Sequence, residues 1–524
     1  MRASALTFVL IVLTALCAAQ ASERDFNLDS LLAASVGGAP AVERLRTART
    51  MYSSGTVSLN GTPGTFVSYT TVPNKFYLRV DVGEYSIVQA YDGVTAWQKD
   101  MNGMVSELHG YERTSLETQV YLQTYSFLFK DRLPGSVAYR GVVERDGKKY
   151  HEVAVMPFDA DTVFSFHDLK TGYPEISVIY LDNLEAVTRT SDFRSYDGVM
   201  IGRFSRSETT GVPLFTEFTV DSVAFDIPVD STVYALGRSE PDYRLPDGVD
   251  SLIIPMEYTD GHIFVTVTVN GSKQVRLMLD TGASMNLFSQ EVQDSLGLPV
   301  IGTSAGKGIG GYSSVNLVRT DSLEVGGLTL YRQVAGVADF SEMQGLLRFD
   351  GLLGQDFLSR FPVLVDYQEQ RLTVYNPDKF SPPAGGHEVP FKLTMQVPTI
   401  EAELVGIRGE FLLDLGSGFG LIVHKHFSDI NKLPQRLSDV QDYTVGISGL
   451  GEGLRGRTAY AATLAFGEVR ISSLRVVLPE SGDGLAGSRE LAGNMGNLLL
   501  EQFRLLFDYR HSRVFFYPLA APNE

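Results

Sequence analysis

The stretch Leu277-Met278-Leu279-Asp280-Thr281-Gly282-Ala283-Ser284 is an apolar run ending in an acid, a hydroxyl and a glycine. A looser copy, Phe411-Leu412-Leu413-Asp414-Leu415-Gly416-Ser417-Gly418, returns 134 positions later (280 to 414). Each copy sets one carboxylate at the mouth of an apolar strand, and duplicated halves bring such a pair face to face. Two facing carboxylates share one proton and activate a water between them. The pattern implies hydrolysis with neither metal nor cofactor.

The surroundings extend the match. Phe264-Val265-Thr266-Val267-Thr268-Val269 alternates as a strand does and runs into an Asn270-Gly271 hairpin turn. Gly306-Lys307-Gly308-Ile309-Gly310-Gly311-Tyr312 follows Asp280 as a glycine-rich hairpin tip, and then comes Gly351-Leu352-Leu353-Gly354-Gln355-Asp356-Phe357-Leu358. Phe361-Pro362-Val363-Leu364-Val365-Asp366-Tyr367 closes this half. The second half repeats the order with Gly446 to Gly453, Gly493-Asn494-Met495-Gly496-Asn497, and Phe503-Arg504-Leu505-Leu506-Phe507-Asp508-Tyr509. From each Asp to the later glycine the spacing is 74 (280 to 354) and 82 (414 to 496), so the half is duplicated. Alone, Asp280 also reads as a turn-capping acid, and the glycine cluster as an ordinary hairpin loop.

Over roughly residues 252–524 this order resembles the aspartic proteases, and most closely the retropepsin-like aspartyl proteases of bacteria. The resemblance implies a two-lobed β fold, a peptide or protein substrate, and Asp280 and Asp414 as the catalytic pair. Thr281 would bond across the pair, with Gly282, Gly416 and Ser417 supporting the two loops. Gly308, Ile309, Gly310, Gly311 and Tyr312 would form a substrate-covering flap, and residues 446–453 a second one. Leu415 departs from the pattern, which wants Thr or Ser there. Either the pair assembles with one hydroxyl fewer, or the second lobe has drifted into a structural role. A bilobed chain supplies both carboxylates itself, which predicts a monomer.

The chain carries a net charge of −18, with 44% apolar and 20% charged residues, as a soluble globular protein does and a nucleic-acid binder does not. Met1-Arg2, an apolar run from Ala5 to Ala19, and Ala19-Gln20-Ala21 read as a cleaved secretory signal over residues 1–21. The alternative is an N-terminal membrane anchor. With Cys17 removed, the mature chain would hold no cysteine and no disulfide. The expected address is periplasmic or secreted.

Residues 22–236 read as short alternating strands, with helical patterns over 25–50, interrupted at Gly37-Gly38-Ala39-Pro40, and over 111–130. Pro73-Asn74-Lys75-Phe76, Ala90-Tyr91-Asp92-Gly93-Val94-Thr95-Ala96-Trp97 and Ser195-Tyr196-Asp197-Gly198-Val199 resemble the LolA-like lipoprotein-carrier half-barrel. That resemblance implies an acyl-chain or lipoprotein ligand, although both Asp-Gly pairs are also plain hairpin turns, and Trp97 reads as a core residue. The predicted fold class is therefore mostly β, a LolA-like half-barrel with helix followed by a duplicated aspartic-protease fold. Residues 237–251 read as a linker, 252–380 as lobe 1, 381–390 as an interlobe linker and 391–524 as lobe 2. His424 and His426 lack a third ligand for a metal and read as surface residues. Ser284 lacks the glycines of a nucleophile elbow. Two rivals to hydrolysis stay open: a lapsed protease that binds peptide, and an envelope lipid carrier.

Overall fold

The computed structural model describes residues 26–181, 184–309, 311–341, 347–441, 444–447 and 454–519. The signal-like segment lies outside them. The chain is mostly β, as its alternation predicts. Residues 50–225 form one thirteen-stranded antiparallel sheet whose edges are Val105–Glu107 and Gly135–Arg145. The helix Gly110–Gln123 connects those edges. Its Leu116 and Val120 pack on Phe76, Ala96 and Leu108, while Tyr121 packs on Val153, Val155 and Val163. Phe76 and Val153 lie on strands eight places apart in the sheet, about 38 Å if it were flat. One helix touches both only because the sheet curls around it, which is the expected half-barrel. The N-terminal helical stretch is broken at the expected glycines into Leu28–Ser35 and Ala39–Thr47, and Gly37 and Gly38 both hold positive φ.

The C-terminal half repeats one plan. In lobe 1, Lys273–Leu279 runs parallel to Gly351–Leu353; in lobe 2, Ile407–Asp414 runs parallel to Leu491–Gly496. A six-stranded sheet joins the lobes, with three strands from lobe 1, two from lobe 2 and one from the segment between them. At its centre Val363 faces Phe507 and Val365 faces Leu505. Their buried side chains belong to a single apolar core that runs through both lobes. The two acid-bearing loops therefore stand on a common floor. The interlobe segment supplies its own strand there, His387–Pro390 against Arg513–Phe516.

The half-barrel is docked, and its hollow is occupied. Val57, Phe66, Val80, Val82 and Tyr85 form one buried cluster with Leu317 and Val334 of lobe 1. Asn102, on a hairpin tip, exchanges hydrogen bonds with Val334 at 2.7 and 2.9 Å and donates to Asp356 at 2.8 Å. The expected linker is ordered as well. Tyr243–Arg244 adds a strand to lobe 1, and Asp242 pairs with the buried Arg360 at 2.5 Å. Asp356 in turn accepts from the Asn286 amide at 2.7 Å, and Asn286 Oδ1 accepts from Gly354 N at 2.9 Å. The N-terminal half thus reaches, through Asn102, Asp356 and Asn286, the loop that carries Asp280.

Candidate active site

Each acid ends a buried strand and begins a turn. Gly282 N donates to Asp280 Oδ1 at 2.7 Å, and Gly416 N donates to Asp414 Oδ1 at 3.1 Å. The two carboxyl groups face each other: Asp414 Oδ1 and Asp280 Oδ1 lie 2.9 and 3.1 Å from one point, the place a Cβ on Gly282 would take. Each glycine lies against the opposite acid. A Cβ on Gly416 would stand 2.3 Å from Asp280 Cγ, and one on Gly282 would stand 2.9 Å from Asp414 Oδ1. Only glycine permits this approach. Burial, then the charge of Asp414, pushes the Asp280 carboxyl well above the usual range, and burial raises Asp414 as well. Such a pair keeps one proton between two acids at neutral pH.

Thr281 ties the loops together. Its hydroxyl donates to Leu413 O at 2.6 Å and accepts from Leu415 N at 2.9 Å. Leu415, the departure from the pattern, is fully buried and packs in the shared core. Its carbonyl accepts from Asn497 Nδ2 at 2.5 Å, and Asn497 Oδ1 accepts from Tyr367 at 2.7 Å. Both backbone groups of Leu415 itself are thereby met.

Behind Asp414 lies a polar chain that the sequence reading missed. Asn494 Nδ2 donates to Asp414 Oδ2 at 2.8 Å, and Asn494 Oδ1 is 2.8 Å from His424 Nε2. His424 Nδ1 is 3.1 Å from Leu491 O. His424 is fully buried, contrary to its reading as a surface residue, because it follows the buried strand Leu421–Val423 inward. His426, two places on in a helix, is half-buried. One signal for this chain was present: Asn494 stands in an apolar strand where the first copy has Leu352.

The pair opens onto a cleft of about 390 Å³. Met278, Leu287, Phe340 and Leu352 wall it from lobe 1, and Leu412, Phe419, Ile422 and Leu485 from lobe 2. Gly282, Gly416 and Ser417 line its floor, with Gly308 and Ile309 above. The stretch expected as a flap is the hairpin of Val300–Gly308 and Gly311–Val325; Gly310 lies outside the described residues. Its tip crosses to lobe 2, where Ile309 packs with Ile422, Val477 and Ala486, and Ala486 N donates to Ile309 O at 3.2 Å. Gly311 and Tyr312 stand outside the cleft lining; Tyr312 pairs with Lys307, whose amine lies 5.7 Å from its ring centre. Gly446 lines the cleft from the second glycine run, and residues 448–453 lie outside the described ones. Among the described residues, no three His, Cys, Asp or Glu side chains are grouped to hold a metal ion.

Residues 265–357 match the aspartyl protease family. That stretch includes Asp280 and stops short of Asp414. No curated protein matches the chain. Among solved structures, an aspartic proteinase from Irpex lacteus is 14% identical, with 52% of this chain and 98% of that one covered and a TM-score of 0.34. Basic 7S globulin from soybean is 12% identical, covering 51% of this chain and 95% of that one at a TM-score of 0.33. A DUF1329 family protein from Desulfovibrio piger ATCC 29098 is 12% identical, covering 40% and 95% at a TM-score of 0.28.

Proposed function

We propose that the chain is an exported aspartic-type endopeptidase of the retropepsin-like kind, with Asp280 and Asp414 as its catalytic pair. The observation that carries this reading is the facing of the two carboxyl groups on the floor of an apolar cleft, each held by its own loop glycine. One carboxylate takes a proton from a water, and the resulting hydroxide attacks the scissile carbonyl carbon. The other carboxyl gives its proton to the carbonyl oxygen. Collapse of the tetrahedral diol then breaks the C–N bond: the proton held by the base passes to the leaving amine, and a diol hydroxyl returns its proton to the other carboxylate. The aspartic-protease pair is a standing example of two acids that share one proton in this way.

The flap excludes water once a peptide lies beneath it, and it must lift Ile309 from lobe 2 to admit one. The half-barrel serves the catalytic half as a brace. Helix and lobe 1 fill the hollow in which a carried acyl chain would lie, which favours this role over lipid transport. Export rests on the N-terminal apolar run and its Ala-x-Ala end.

The test is cleavage of a mixed peptide library from acidic to neutral pH by the mature protein, Asp280→Asn and Asp414→Asn. Each variant is expected to lose at least about 10³-fold in kcat/KM, since base and acid are both needed. Cleavage surviving in Asp414→Asn would reduce lobe 2 to a scaffold. A folded wild type that binds peptides without cutting them would make the cleft a binding site.

A further inference from the structure

The two lobes diverge at one register position beside the acids. Met278, two residues before Asp280, pairs with Leu352, whereas Leu412, two before Asp414, pairs with Asn494. Leu352 offers Asp280 no hydrogen bond. Asn494 gives Asp414 one, at 2.8 Å. Both Asn494 and His424 behind it are buried, at 4% and 0% exposure, so water does not substitute for either partner.

We propose that Asn494 and His424 are positioning residues that place the negative charge of the pair on Asp414 and its proton on Asp280. The inference rests on the catalytic reading of the pair and assigns the roles within it. Asp414 is then the base that takes the water's proton, and Asp280 the acid that protonates the carbonyl oxygen.

The argument is one of donors and acceptors. An amide has one donating and one accepting end, told apart by its partners. With its nitrogen on Asp414, Asn494 turns its oxygen to His424, so Nε2 must carry a hydrogen. Leu491 O only accepts, so Nδ1 is also best served by a hydrogen. Both are met at once only in the imidazolium. A neutral ring must choose. Nε2–H keeps the amide nitrogen on an ionised Asp414 and forgoes the bond to Leu491. Nδ1–H keeps that bond, turns the amide round and sets its oxygen against Asp414, which must then be protonated. The hydrogen on the ring and the charge on Asp414 are thereby linked, with no proton passing through the amide.

The groups facing the ring keep it neutral, so that this choice has to be made. Burial, with Lys307 on the flap strand opposite, pushes His424 down to about 4, so the ring is neutral above that pH. On its own helix, Lys425 is paired with Asp429 at 2.7 Å. Beyond the amide stand Asp414 and Asp280. Lobe 1 has Ser289 at the position of His424, and its hydroxyl accepts from Val292 N at 3.3 Å, capping a helix and reaching toward no acid.

The experiment is a carboxyl-carbon NMR titration of the full chain labelled at Asp, with the Asp414 signal identified by its loss in Asp414→Asn. Asn494→Leu, which copies lobe 1 into lobe 2, is expected to raise the Asp414 titration by about one pH unit, since one donor to its charged form is gone. His424→Leu should move it the same way and by less. His424→Gln, whose amide nitrogen still donates to Asn494 Oδ1, should restore the wild-type value. The acid limb of the kcat/KM profile should follow the same order. An unmoved titration in Asn494→Leu, or His424→Gln behaving as His424→Leu, overturns the proposal. Should Asn494→Leu not fold, the two His424 variants decide alone. Failure of the catalytic reading shows differently, as a wild type that cuts no peptide while these titrations still separate.

Discussion

Lobe 1 spells Asp280-Thr281-Gly282 and lobe 2 Asp414-Leu415-Gly416, and the hydroxyl absent from the second copy changes which copy holds the other. Thr281 reaches across to the backbone on both sides of Asp414. Lobe 2 returns an apolar side chain to the shared core and an amide, Asn497, to its own loop. Lobe 2 also backs its acid with Asn494 and His424, where lobe 1 has Leu352 and Ser289. A duplicated half need not stay symmetric once both copies share one chain. One lobe holds the cross-tie and extends a hairpin over the other; the other lobe has polar support behind its acid.

The glycines give the largest test of this comparison short of the acids themselves. Gly416→Ala drives a Cβ to 2.3 Å from Asp280 Cγ, an approach that forces the acid or its loop to move. A shift of about 1 Å in a reacting group costs about 10²-fold, and kcat/KM should fall by that much. Gly282→Ala meets Asp414 Oδ1 at 2.9 Å, with Asp280 Oδ1 and Asp414 Cγ at 3.1 Å, a looser approach that should cost less. Equal losses in the two variants, measured on one peptide, would show that the loops approach each other symmetrically after all.

Next in size is the cross-tie. Thr281→Val keeps the shape and strands two buried backbone groups, Leu413 O and Leu415 N, for an expected loss of about 3 kcal/mol in denaturant unfolding. Leu415→Thr restores the expected motif and should still destabilise, by about 1–3 kcal/mol, because it withdraws a fully buried apolar side chain from the shared core. A more stable Leu415→Thr would show that lobe 2 tolerates its leucine and gains nothing from it.

The acids and the duplication were legible because apolar strand, acid and glycine recur in order, and burial of the strands follows from their composition. Leu415 was legible as a departure but not as a solution, since the partner that completes its loop, Asn497, lies 82 positions on (415 to 497). His424 was misread because Lys425 and His426 beside it look solvated, while its own direction is set by the apolar strand before it. Tyr312 sits in the glycine-rich run yet pairs across the hairpin with Lys307, a register that the run of glycines does not specify. The half-barrel's curl was expected from resemblance. Its docking depends on Asn102 at a hairpin tip meeting Asp356 254 positions away, a contact with no local pattern behind it.

The smallest effects should separate two tyrosines that occupy the same place in the duplicated run. Tyr367 donates to Asn497 Oδ1 at 2.7 Å, and Asn497 holds Leu415 O and Gly261 O in turn. Tyr509 is as deeply buried, but its hydroxyl has no hydrogen-bond partner among the described residues. Removing a hydroxyl from a satisfied buried pair leaves the other partner unmet and costs about 1–2 kcal/mol. Removing one that already lacks a partner costs nothing on that account and relieves its desolvation. Tyr367→Phe is therefore expected to lower unfolding stability by that amount, and Tyr509→Phe to leave it unchanged or raise it slightly. If Tyr509→Phe proved the more harmful of the two, a partner for its hydroxyl would have to exist beneath Asp280, and the floor under the two acids would be more symmetric than the comparison of the lobes allows.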